Sequence, residues 1–431
     1  MVDRAATRVG WRELYLRRPV LAWALYDWAN SAFATSVMVG FFPLFFNTAW
    51  SVEVSGAATT TRLMTVNGVA SLLLALGAPV LGAIADRGGW RKRFLAVFAA
   101  CGAIATASLF LVPHGGWLLA AVAFATASIG FAAANVFYDA MLVDVAEKEH
   151  FDRISAFGFA LGYMGGGLLL AAHLAMVLRP GWFGLADAEQ AVGVVFLTVA
   201  GWWTVFTMPL LVAVQERKPN ERQGLQRAVS QGFAQFLGTF RRIRSLRPVV
   251  LFLAAYWLYI DGVNTVMKVA IDFGYKLGFG QRDLMVALLA VQFISLPAAL
   301  FFGWLGERSG PKRGILVGLS VYVGVISWAA FMDAVWEFYV LACAIGLVQG
   351  GVFSLSRSYY ARLIPPGESA EFFGFYNLIG KFAAVLGPLL VAGAAALTGS
   401  TRAAVPAVLP LLLLGGLLLA MGPKREVIPP S

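Results

Sequence analysis

Gly82-Ala83-Ile84-Ala85-Asp86-Arg87, with Arg91, Lys92 and Arg93 behind it, returns as Gly303-Trp304-Leu305-Gly306-Glu307-Arg308 ahead of Gly310, Pro311, Lys312 and Arg313. Each copy stands where one long apolar run ends and the next begins. The glycine lets two backbones approach closely, the acid follows four residues later, and the basic cluster keeps the loop on the cytoplasmic side of a membrane. The motif therefore predicts a tight hairpin between two membrane helices. Its duplication predicts a chain of two related halves.

Composition agrees with that solvent. Apolar residues make up 59% of the 431 and charged residues only 13%, against roughly 25% charged in a soluble domain. Runs of about 20 apolar residues, enough to cross the hydrocarbon core, lie near 20–47, 63–85, 94–112, 117–139, 156–178 and 191–214. Six more lie near 249–271, 284–305, 314–332, 336–356, 372–397 and 403–421. The expected fold is an all-α polytopic membrane protein of twelve transmembrane helices, in two six-helix halves related by a pseudo-twofold axis. Its divisions are an N-terminal half at 1–214, a linker at 215–248 and a C-terminal half at 249–431.

Orientation follows from the cations. Of 33 Lys and Arg, only Arg62, Arg179, Lys276, Arg282 and Arg402 fall in loops on the far side if both termini are cytoplasmic. The net charge of +10 is thus topological and gives no sign of nucleic-acid binding. The first apolar run is far longer than a signal-peptide core and reads as a retained helix. The linker carries eight basic and two acidic side chains, and Leu225, Val229, Phe233, Phe236, Phe240 and Ile243 recur at helical spacing. That pattern predicts a basic amphipathic helix at the membrane surface, either a plain connector or a lipid-sensing element. Cys101 and Cys343 lie in apolar runs of different halves, as buried small hydrophobes and not as a disulfide.

Enzyme chemistry finds little support. The three histidines form no metal-ligand pattern, and no nucleophile elbow or carboxylate array is present. Gly374-Phe-Tyr-Asn-Leu-Ile-Gly380-Lys381 resembles a phosphate loop but has five residues between its glycines and Phe382 in place of the hydroxyl residue. No cofactor and no metal are expected.

The candidate site consists of the polar and ionisable residues left inside spans, since a charge at membrane depth needs a partner or a water-filled cavity. Asp27, Asn30 and Ser31 form a stripe on the first span, and Asp261, Asn264, Thr265 and Lys268 repeat it on the seventh. Facing each other, the stripes would line a polar cavity between the halves; alternatively they pair with neighbouring helices. Lys381 stands nine residues into the eleventh run, roughly 14 Å deep, with Asn377 one turn before it. It is a candidate counter-ion for Asp27 or Asp261 and a candidate receiver of a substrate anion. Asp139 and Arg357 stand near the cytoplasmic ends of spans four and ten. They are candidates for a substrate role or for a charge relay with Asp86 and Glu307 of the hairpins, which with Gly82, Arg87, Gly303 and Arg308 would lock the cytoplasmic gate. Tyr163, Gln292 and Gln349 read as helix-to-helix hydrogen-bond partners, and His173 carries no functional reading.

These residues carry a family resemblance. The hairpin motif resembles the signature of the major facilitator superfamily, the second copy more closely, since Gly89-Trp90 precedes the cations of the first. Tyr26-Asp27-Trp28-Ala29-Asn30-Ser31-Ala32-Phe33 is similar to the vacuole-effluxer branch, bacterial relatives of the autophagy-associated vacuolar amino-acid exporters. So are Leu355-Ser356-Arg357-Ser358, Ala361-Arg362-Leu363-Ile364-Pro365-Pro366-Gly367 and Glu371-Phe372-Phe373-Gly374-Phe375-Tyr376-Asn377. The resemblance covers nearly the whole chain. It implies a secondary transporter that works by alternating access, with amino-acid efflux as the family's best-known activity.

The sequence reading is thus a transporter of a small zwitterionic or anionic solute, such as an amino acid, with proton coupling through Asp27 and Asp261. An exporter or flippase of lipids or amphipathic compounds would use the same fold with a larger apolar cavity. A non-transporting receptor or assembly partner is the reading of another class, and the duplicated gates argue against it. The expected setting is the bacterial inner membrane, as a monomer in contact with lipids and its small-molecule substrate.

Overall fold

Hydrocarbon offers backbone amides no partner, so a chain immersed in it must satisfy them within each segment. The computed structural model describes residues 10–51, 56–216, 238, 243, 245–276, 281–383 and 385–422, and among these the regular structure is helical without strands. After a five-residue helix, Trp11–Tyr15, come α1 (Arg18–Trp50), α2 (Gly56–Gly88), α3 (Arg91–Leu111), α4 (Trp117–Ala140), α5 (Phe151–Leu178) and α6 (Ala188–Ala213). Then follow α7 (Arg247–Lys276), α8 (Gln281–Ser309), α9 (Pro311–Ala329), α10 (Val335–Leu363), α11 (Ser369–Thr398) and α12 (Val405–Met421). Ten spans among the described residues are long and apolar enough to cross a bilayer, and α2 and α12 bring the count to the twelve predicted.

Within α1–α6, α1 packs on α5 and α6, and α3 packs on α4 and α6; within α7–α12, α8 and α9 pack on α10, and α7 packs on α12. Two seams join the sets: α2 lies along the first part of α11, and α5 lies against α8 and α10. Small residues set the closeness of these seams. A Cβ on Gly82 would fall 2.3 Å from the Ala370 carbonyl oxygen, and one on Gly303 would fall 2.5 Å from the Ala156 Cβ.

Besides the 3-10 turns that end α3 and begin α12, two helices depart from regular α geometry. In α1 the segments Phe33–Phe41 and Phe46–Trp50 are π-helical, with hydrogen bonds to the fifth residue back. The eleventh span, expected to be continuous, is broken into Ser369–Phe382 and Leu386–Thr398. The cause is local. Pro388 has no N–H, and its ring would clash with the carbonyl four residues back in a continuous helix, whereas the first turn of a new helix accepts it. Most of the basic linker at 215–248 lies outside the described residues. Its start is placed: Glu216 accepts the backbone N–H groups of Arg91 (3.1 Å) and Lys92 (2.7 Å), satisfying amides that open α3.

Candidate functional site

A cavity of about 660 Å³ lies between the two helix sets. Its polar lining comes from Asp27, Ser31 and Thr35 on α1, Tyr163 on α5, and Asn264 and Thr265 on α7. Gln292 of α8 and Gln349 of α10 complete that face. The rest of the lining is apolar, with residues such as Leu288, Val291, Ile326, Phe338 and Ile345 on α8, α9 and α10. It continues to Met332, beyond the end of α9 and away from the two hairpins.

The two polar stripes do not meet as a pair of equivalent faces. Asp27 and Asn264 line the cavity, but Asn30 turns away and donates to Asn135 Oδ1 of α4 at 2.6 Å. Asp261 is fully buried and serves the break in α11. Its carboxylate accepts from the N–H groups of Leu386 (2.9 Å) and Gly387 (3.0 Å), which open the second piece of that span, and from Thr265 Oγ1 (3.3 Å). Gly387 is required by this closeness, since a Cβ there would lie 2.0 Å from Thr265 Oγ1.

Lys381 occupies the last turn of the first piece of α11, half-buried, where a cation complements the carbonyl end of a helix. The cation set beside Asp27 is Arg357, 3.8 Å away, where the sequence reading offered Lys381. Tyr138 also donates to Asp27, at 3.2 Å. Arg357, only 2% exposed, is held from every side. It donates to Asp139 Oδ1 (3.0 Å), to Ser155 Oγ (2.9 Å) and to the Ser155 carbonyl (2.8 Å), and its guanidinium lies over the rings of Phe159 and Trp23. Asn377 donates to Asp139 Oδ2 at 3.4 Å and to the Phe373 carbonyl at 3.0 Å.

The hairpins close the end of the bundle below this cluster. Asp86, 7% exposed, accepts the N–H groups of Ala370 (3.1 Å) and Glu371 (2.9 Å) in the first turn of α11. Arg91 stands 3.6 Å from Asp86, pairs with Asp144 at 3.0 Å and donates to Ser369 Oγ at 2.7 Å. Glu307 pairs with Arg153 (3.0 Å) within the first turn of α5 and with His150 (3.4 Å) just ahead of it. Arg308 is exposed over the ring of Trp304, and Arg87 is partly buried. The relay expected from Asp139 and Arg357 to the hairpin acids is replaced by a different connection. The pair reaches up to Asp27, while Asp86 and Glu307 each hold partners of their own.

Sequence reading missed a second buried pair. Asp152 of α5 accepts from Arg362 Nη2 at 2.8 Å and from Ser358, both of α10. Both charges sit near helix ends, where charge is ordinary, so spacing alone gave no signal. His173 joins three helices by bonding Ser36 of α1 and Thr198 of α6, each at 2.9 Å. Among the described residues no three His, Cys, Asp or Glu side chains are grouped to hold a metal.

The sequence model of the family described as "Vacuole effluxer Atg22 like" matches residues 16–425. The uncharacterized MFS-type transporter YxiO of Bacillus subtilis (strain 168) is 38% identical over 412 residues, covering 94% of each chain. Autophagy-related protein 22 of Pyricularia oryzae is 26% identical over 416 residues, covering 77% of this chain and 60% of the fungal one, so the chain spans less than two thirds of that relative. Among solved structures, the proton:xylose symporter XylE superposes with a TM-score of 0.70 at 14% identity, covering 94% and 95% of the two chains. The human organic anion transporter MFSD10 superposes with a TM-score of 0.69 at 16% identity, covering 94% and 99%. At such identities the superpositions speak for the fold alone. The fold is that of the major facilitator transporters, and the chain, an integral membrane protein, belongs to the vacuole effluxer Atg22-like family.

Proposed function

We propose that this protein is a secondary active transporter that moves a small amphipathic solute by alternating access, with the cavity of Asp27 as its binding site. The observation that carries the reading is a buried carboxylate lining a roughly 660 Å³ cavity that is otherwise largely apolar, closed off from the hairpins by cross-set ion pairs. With the basic loops on the cytoplasmic side, the hairpin end is the inner gate and this conformation faces outward. Both termini then lie in the cytoplasm, and the membrane is a bacterial inner membrane. A zwitterion with an apolar side chain, such as an amino acid, suits the cavity: its amine meets Asp27, and its carboxylate is met by the neutral donors of Asn264, Gln292 and Gln349. Asp27 is also the group that would carry a coupled proton.

A thermal-stability screen of the purified protein against amino acids, short peptides and lysolipids tests the site. A ligand at 100 times its dissociation constant adds about 2.7 kcal/mol. A shift given by a zwitterion and abolished by Asp27→Asn is the expected result. The apolar wall favours a second reading, export of an amphipathic compound or lipid. A shift given by lysolipids and kept in Asp27→Asn would establish that reading instead.

A further inference from the structure

Asp27 and Asp139 belong to α1 and α4, which lie in the same six-helix set, and both approach one guanidinium that enters from the other set, on α10. We propose that Arg357 is the positioning residue that couples the cavity to the gate: filling or neutralising Asp27 loosens the clasp at the hairpin end. The inference rests on the reading of the cavity as the substrate site, and it concerns how occupancy of that site reaches the gate.

Which charges move together decides the effect. The repulsion between Asp27 and Asp139 is internal to one helix set, so a rigid rotation of the two sets leaves it unchanged. The attraction of each carboxylate for Arg357 acts between the sets and is lost on opening. Asp27 at 3.8 Å and Asp139 at 3.0 Å therefore both resist separation, in surroundings where charge is poorly screened. A proton on Asp27, or a substrate ammonium against it, removes the first of these two attractions and leaves the second. Among the described residues, the charged and titratable groups that face Asp27 include Arg357 of α10, Asp139 and Tyr138 of α4, Tyr163 of α5 and Tyr26 of α1 itself.

Arg357 is suited to this task because its remaining contacts also reach the opposite set. Both Ser155 bonds, the bond to Asp139 and the rings of Trp23 and Phe159 hold it to α1, α4 and α5. Asn377 brings the first piece of α11 to the same Asp139, so a change at Asp27 meets α10 directly and reaches α11 through two side chains, Arg357 and Asp139. Of the three charged members of this cluster Asp27 lines the cavity, and Asp139 and Arg357 are not among its lining residues.

Hydrogen exchange on the full-length protein in lipid nanodiscs, with no ligand added, tests the coupling. Backbone amides at 139–158 and 369–377 report opening of the hairpin end. Asp27→Asn is expected to raise exchange there on the order of tenfold, and the same substitution in an Arg357→Gln background is expected to add nothing further. An unchanged rate in Asp27→Asn, or an equal increase with Arg357 absent, overturns the proposal. If Arg357→Gln does not fold, Asp139→Asn serves as the background. There Asp27 is the remaining carboxylate on Arg357, its loss must act at least as strongly as in the wild type, and a smaller effect overturns the proposal. Because no solute is moved in this experiment, it can succeed where the substrate reading fails, and the converse.

Discussion

At the first hairpin the acid, Asp86, is buried and gives both oxygens to backbone amides that open α11; at the second, Glu307 keeps 26% of its side chain in solvent and meets the side chains of Arg153 and His150. The sequence pattern is shared, but the partners differ in kind. Amides at a helix end cannot leave an acceptor unless the helix itself moves. Side chains on long stems can swing away and pair again. The first hairpin therefore fixes the position of α11, and the second supplies an attachment that tolerates small displacements of α8 against α5. A pseudo-symmetric sequence has given one rigid and one compliant latch.

Removing the two acids should separate the latches most clearly. Asp86→Ala leaves two amides without their acceptor and takes the carboxylate from beside Arg91, and it should cost about 3 kcal/mol in unfolding measured in detergent. Glu307→Ala should cost less than about 1 kcal/mol, as for exposed ion pairs in general. Equal losses would mean that the geometric difference carries no energetic weight.

The glycines sharpen the same contrast. Gly82→Ala forces a methyl onto the Ala370 carbonyl, which is backbone, and should destabilise by roughly 2 kcal/mol with no side-chain deletion able to restore it. Gly303→Ala meets the methyl of Ala156, so Ala156→Gly should recover most of its loss in a double-mutant comparison. Absence of that recovery would show that the nearby Asp152 backbone, and not the methyl, sets the limit. The smallest effect is that of salt. Raising ionic strength from about 0.1 to 1 M should weaken the Glu307 latch by a few tenths of a kcal/mol and leave the buried Asp86 latch unmoved, read as a change in local hydrogen exchange.

Much of this architecture is written in the sequence because the bilayer imposes it. A span must be long and apolar, a hairpin must be short and basic, and a buried charge must have a reason, so the helices and the roster of Asp27, Asp139, Arg357 and Asp261 follow without coordinates. Pairing is another matter. That Arg357 faces Asp27, and that Asp261 serves the opening of a half-helix, depends on the tilt and rotation of α10 and α7, which no one-dimensional spacing encodes. The break in α11 did leave a mark, the Gly387-Pro388 dipeptide, hidden within the apolar stretch that follows Lys381. The apolar wall of the cavity is illegible for a simpler reason. A leucine facing lipid and a leucine facing substrate look the same in a membrane sequence.

The π-helical stretch of α1 bears on how that helix should be probed. Asp27, Ser31, Thr35 and Val39 all face the cavity, a strict step of four. In a regular α-helix of 3.6 residues per turn such a row drifts steadily around the axis, by about 40° at each step. The wider turn that begins at Phe33 drifts the other way and brings the row back. The inner surface of α1 is therefore a straight rail with a four-residue pitch. A scan designed on an ideal helical wheel would assign its upper positions to the wrong face.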